Sequence, residues 1–405
     1  MKNRTSALSM PRHLSAPKNP VALSIGVLLL SAVLFIMILD SVLSAMGKFL
    51  LSAGLLVGCG LIVSKWNKFE GGLGLYLLRS KWGLDYIDSL ARKYPRLWQL
   101  FAELGMIIGY GSLAYFLIGR KKINWRQELP LYAAGVFMLV LFSGLIPVGM
   151  SFLLSMVSGG AEFSTASAKL SAQVSKIGVF QYISLAAMAI GGIALMATIS
   201  VITYSFIVAS AVLSALLGNG AHLAATTPGG MPILPGINLD LVQGVLGLAI
   251  VLVVHECMHG VLARKHKLPL TSAGLVFFGF LPFGAFVDVD DKKLFKSDKV
   301  KQNSVLIAGV TANFATALAV FLLLLLFVFF FPGPEFPAWA KWTARFLALT
   351  FALNMAVASV NLIPLPFFDG YHLMNNIVGN KKIAAAVMYI VGAAFLLTLF
   401  PWVLR

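Results

Sequence analysis

Nine apolar runs, broken by short polar and basic stretches, organise the chain: 21–39, 49–64, 100–118, 129–156, 179–217, 241–263, 304–331, 342–362 and 384–404. A bilayer is spanned by about 20 apolar residues in a helix. The pattern therefore predicts an all-α polytopic membrane protein with about eight to ten transmembrane helices. The run 179–217 is too long for one ordinary span. It reads either as two short spans or as one long tilted helix with an interfacial extension, and no charged residue between Ile177 and Leu239 marks a turn. Residues 218–240, rich in Gly and Pro, read as an irregular external loop.

Residues 65–98 break the pattern. Seven Lys and Arg residues mix there with Trp66, Tyr76, Trp82, Tyr86 and Trp98. Basic and aromatic residues together fit an amphipathic segment lying on the membrane surface, and a plain cytoplasmic loop is the alternative. The chain then divides into an N-terminal transmembrane hairpin (1–64), this basic segment (65–98), further transmembrane helices with the external loop (99–240), a core carrying the chemistry (241–383) and a C-terminal transmembrane helix (384–405).

Composition agrees with a lipid environment. Hydrophobic residues make up 59% of the chain and charged ones 11%, against about 25% charged in soluble domains. The net charge of +16 comes from 31 Lys and Arg against 15 Asp and Glu. These cations sit in short loops between apolar runs, which argues against a nucleic-acid partner and for the positive-inside pattern. Residues 1–20 carry Lys2, Arg4, Arg12 and Lys18 with no evident cleavage site after them, so a cytoplasmic N-terminus is expected. The loops 264–267, 292–301 and 381–382 all read as cytoplasmic. The basic loop at Arg120, Lys121, Lys122 and Arg126 does not fit: it is external if every earlier run crosses once. Either it breaks the rule or one upstream run does not cross. Cys59 and Cys257 lie in apolar runs and give no disulfide framework.

Ionisable groups inside a bilayer are costly and mark function. One run holds three in five residues: His255, Glu256 and His259, a His-Glu-x-x-His pattern. Positions i and i+4 share a helix face, so both imidazoles reach one metal. A catalytic Zn²⁺ takes three protein ligands and keeps one position for water, with the adjacent glutamate as general base. The third ligand is sought in Asn361–Gly370, where Pro364 and Pro366 end a helix and irregular backbone at membrane depth marks a buried or wet site. Asp369 is the best candidate there and His372 its rival. His13, His222 and His266 read as ordinary polar residues.

These two segments together resemble the site-2 protease family of intramembrane zinc metalloproteases. The resemblance implies that His255, His259 and Asp369 hold one zinc, that Glu256 is the catalytic base, and that Asn361 handles extended substrate or an oxyanion. A helix-ending cap is the competing role for Asn361. Residues 274–291 resemble the family's small β-hairpin or re-entrant element near the active site, whose free edge would hold substrate extended. Ala308–Asn313 is similar to the family's A-G-P-x-x-N stretch, with Val310 where proline is usual. About 40 residues separate the runs 241–263 and 304–331, too few for the PDZ domain of many relatives, so the N-terminal spans are expected to act as a lid or exosite. The implied partners are a single-span membrane protein substrate and the lipid bilayer. The oligomeric state is not legible. A catalytically inactive adaptor or chaperone and a metal transporter are the alternatives.

Overall fold

In the computed structural model the described residues are 19–81, 83–119, 125–146, 148–150, 153, 179–230, 239–331 and 337–403. The readings of the polar N-terminus, of Arg120–Lys122, of the end of the run 129–156 and of the middle of the loop 218–240 lie outside them. Among the described residues, eight helical stretches are long and apolar enough to cross a membrane. The fold is mostly helical, as the apolar pattern predicts, with one small sheet.

The chain forms two compact units. The first comprises residues 1–79 and 274–284. Its helices α1 (Pro20–Asp40) and α2 (Ala45–Asn67) pack side by side. Two short strands follow, β1 (Gly71–Gly72) and β2 (Leu75–Ser80). They pair antiparallel across Leu73 and Gly74, both at positive φ, the backbone twist that tight two-residue hairpins require. Tyr76 of β2 stacks between Phe69 and Phe277, over Cys59 and Val63 of α2.

The second unit holds the rest. Its helices include α3 (Leu84–Lys93), α4 (Pro95–Tyr110), α5 (Ala114–Ile118), α6 (Trp125–Val140), α7 (Val179–Leu216), α8 (Leu241–Lys265), α9 (Lys299–Leu306), α10 (Ala308–Phe330), α11 (Ala338–Asn361), α12 (Asp369–Val378) and α13 (Lys381–Thr398). Between α8 and α9 run strands β3 (Leu270–Phe278) and β4 (Leu281–Val289), which complete a sheet of order β1-β2-β3-β4. Helices α8, α10 and α11 pack mutually. The segment 65–98, read as interfacial, contains β1, β2 and α3. The apolar stripe of α3 (Leu84, Ile87 and Ala91) is buried in the protein, with Ile87 against Gly260 of α8 and Asp88 paired with Arg264 at 2.6 Å.

The run 100–118 does not form one straight helix. Gly111 takes φ 54°, ψ −131° and ends α4. Gln99 at its start accepts from Lys265, the last residue of α8, and Leu117 O at its far end accepts from Asn303 Nδ2 of α9 at 2.9 Å. The end of α8 and the start of α9 are the same end of an antiparallel pair. The segment 95–118 therefore enters and leaves at one end. The long run 179–217 is α7, bent at Gly192, where φ is 61° and ψ −157°.

Gly192 and Gly111 meet. A Cβ on Gly192 would lie 2.4 Å from Gly109 O, and one on Gly111 would lie 2.5 Å from Ala189 O. Gly192→Ala is expected to lower the thermal midpoint in detergent by a few degrees or more, because it adds about 1–3 kcal/mol of backbone strain to a steric clash. An unchanged midpoint would show that the bend at Gly192 is not required.

Candidate metal centre

Helix α8 supplies two of the three converging groups. His255 and His259 lie one turn apart on one face, with ring centroids 4.8 Å apart and Nε2 atoms 3.1 Å apart. The third group comes from the irregular stretch after α11. Leu362 and Ile363 close that helix with tight turns, and Pro364 and Pro366 prevent its continuation. The chain then folds back so closely that a Cβ at Gly370 would lie 2.3 Å from Leu362 O. Only glycine fits there, which explains the Asp-Gly pair. Asp369 opens α12, and its Oδ2 lies 3.4 Å from each of the two Nε2 atoms.

The three atoms thus form a triangle with edges of 3.1, 3.4 and 3.4 Å. The edge of a tetrahedron with ligands at 2.0–2.1 Å from its centre is about 3.3 Å, the geometry of zinc with His and carboxylate ligands. All three side chains are largely buried, and Asp369 Oδ2 has no hydrogen-bond donor among the described residues. A buried carboxylate oxygen facing two imidazole nitrogens fits a cation at their centre. His259 is further fixed: its Nδ1 donates to Val305 O at 2.7 Å, which leaves Nε2 as the ligand nitrogen.

The sequence left Asp369 and His372 as rivals for the third position. The structure brings Asp369 to the imidazoles, while His372 lies against Phe295 with ring centroids 4.7 Å apart. His266 follows α8 in the basic loop. Burial, then the cations of Lys265 and Lys301, push it down to about 4, so it is neutral at physiological pH. Glu256, half-buried beside the ligands, accepts from Val287 N–H of β4 at 3.2 Å. Asn361, the last residue of α11, donates its Nδ2 back to Val357 O at 2.9 Å, within its own helix.

Three contributions were not read from the sequence. Two are backbone groups, Val305 O and Val287 N–H, and carry no side-chain signal. The third is Gly309, placed beforehand only within the stretch Ala308–Asn313 and given no role of its own. A Cβ there would lie 2.5 Å from the Nε2 of both His255 and His259. Gly309→Ala is expected to abolish metal retention while leaving the helical far-ultraviolet signal intact, as checked by elemental analysis and circular dichroism of the purified protein. Full metal occupancy in that variant would mean that the two rings do not need this space.

Residues 243–399 match the family model for peptidase family M50. A 79-residue stretch is 35% identical to an uncharacterized protein of Methanocaldococcus jannaschii, covering 19% of this chain and 21% of that protein. The chain thus spans about a fifth of the length of that curated relative. No solved structure matches. The matched stretch begins at the third residue of α8 and runs through α13, so that both histidines and the Asp-Gly turn fall inside it; over these residues the chain is similar to peptidase family M50, the family of the site-2 proteases.

Proposed function

We propose that the protein is an intramembrane zinc metalloendopeptidase that hydrolyses peptide bonds within or next to transmembrane segments of other membrane proteins. The observation that carries the reading is the 3.1–3.4 Å triangle of His255, His259 and Asp369 around an unpartnered carboxylate oxygen. These residues would hold one Zn²⁺. Zinc supplies Lewis acidity, which lowers the pKa of water from 15.7 to about 7 and polarises a carbonyl. Glu256 takes the proton from the attacking water and delivers it to the leaving amine.

A transmembrane helix hides its amides in its own hydrogen bonds, so the substrate must be held extended. Strand β4 supports this. Asp290 N–H donates to Pro269 O just beyond the paired strands. Antiparallel pairing alternates from residue to residue, so the backbone groups of Ala285 and Val287 point away from β3. The outward Val287 N–H meets Glu256. A substrate strand added along this edge would pass the general base. Asn361, once released from Val357 O, has a carboxamide to offer the substrate backbone or the developing oxyanion.

The basic loops after α8, before α9 and before α13 support a cytoplasmic placement of the active-site end. Cleavage there would release a cytoplasmic segment of a single-span substrate, the pattern of regulated intramembrane proteolysis.

Glu256→Gln in detergent is expected to keep about one zinc per chain and to lose roughly 10²–10⁴-fold in cleavage of single-span substrates. Equal cleavage by parent and variant removes Glu256 from the mechanism. Zinc without cleavage by either protein moves the reading to an inactive adaptor. Ala285→Pro removes one outward donor at an edge that tolerates proline. It is expected to retain zinc and to slow cleavage by about tenfold, the worth of one hydrogen bond; unchanged rates would eliminate the edge as a substrate site.

A further inference from the structure

The two imidazoles of the triangle are not equally supported. Val305 O holds His259 through its Nδ1. His255 Nδ1 is buried and has no hydrogen-bond partner among the described residues. An imidazole that binds metal through Nε2 needs an acceptor at Nδ1 to fix its tautomer and aim its ring.

Asn313 is the complementary orphan. It is 0% exposed, and neither its Oδ1 nor its Nδ2 has a partner among the described residues. Unpaired, such buried groups cost about 1–3 kcal/mol each. Asn313 stands one turn beyond Gly309 on the same face of α10, since positions i and i+4 align. That face meets the histidines: the site of a Gly309 Cβ is 2.5 Å from both Nε2 atoms. Residue 305 is level with His259 and residue 309 with the His255–His259 pair, so α8 and α10 run antiparallel. Side chains lean toward the N-terminus of their own helix. His255 therefore leans away from His259, toward the level of Asn313, and Asn313 leans back toward the level of Gly309.

We propose that Asn313 is the positioning residue of His255: its Oδ1, through one water, accepts the Nδ1–H and so holds Nε2 toward the metal, as Val305 O does for His259. A water between two such groups completes both sets of hydrogen bonds. Asn354 on α11 also has an unpartnered Oδ1, but its Nδ2 is spent on Thr350 O within its own helix at 2.8 Å. The inference rests on the metal reading above.

The test uses the full chain in detergent and compares the parent with Asn313→Leu, Asn313→Asp and Asn354→Leu. Zinc affinity is read by competition with a chromogenic chelator. Ligand geometry is read from the visible bands of the Co²⁺-substituted protein, and packing from the thermal midpoint of the metal-free protein. Asn313→Leu is expected to weaken zinc binding by about 10–100-fold and to shift the cobalt bands, with the metal-free midpoint not lowered. Asn313→Asp, which keeps the acceptor, restores most of the affinity, and Asn354→Leu leaves it unchanged. If Asn313→Leu does not fold, Asn313→Val takes its place. A parent that holds zinc while the Asn313 variants match it in affinity and spectrum overturns the proposal. So does a loss confined to Asn354→Leu. A parent that binds no zinc overturns the metal reading itself.

Discussion

The close approach of α10 to α8 at Gly309 is the contact on which the rest of the centre depends. Two imidazoles project from one helix, and their Nε2 atoms fill the space where any other residue at 309 would carry a side chain. Once that space is taken, the remaining side of the pair is open to one further group. The backbone turn at Leu362–Gly370 delivers Asp369 there, and the turn in turn requires a glycine directly after the aspartate. Three polar groups are thus packed against one another in the protein interior. Groups of this kind are retained in membrane interiors when they serve each other or an ion.

The same logic accounts for what was legible beforehand. The spacing of His255 and His259 carries its own geometry, because a helix converts four residues into one turn. Asp369 was readable as a candidate through its isolation: it is the only acid between Glu335 and the C-terminus. Its choice over His372 was a matter of tertiary placement and needed the structure. The long helices were legible as apolar runs, yet length and composition say nothing of direction. The run 100–118 has the apolar content of a span, but Gly111 turns the chain and both ends meet the same end of α8 and α9.

The basic aromatic segment was harder to read. Its α3 has the alternation of an interfacial helix, and the apolar face is real. That face is spent on Gly260 and its neighbours. An amphipathic stripe declares that one side will be covered; lipid and protein satisfy it equally well. The salt bridge between Asp88 and Arg264 is the kind of polar contact that selects the protein partner, and it joins residues far apart in sequence, where no local pattern reveals it.

The carbonyl of Val305 belongs to the backbone, and every substitution at position 305 leaves it where it is. The support of His259 is in this sense invisible to mutation. A scan of side chains through the helices around the centre would record nothing at 305 and so rank the residue as dispensable, although its main chain fixes one of the ring orientations. During sequence drift the consequence is reversed: position 305 is free to vary among residues that fit a buried helix face, and the tautomer of His259 is inherited through the fold.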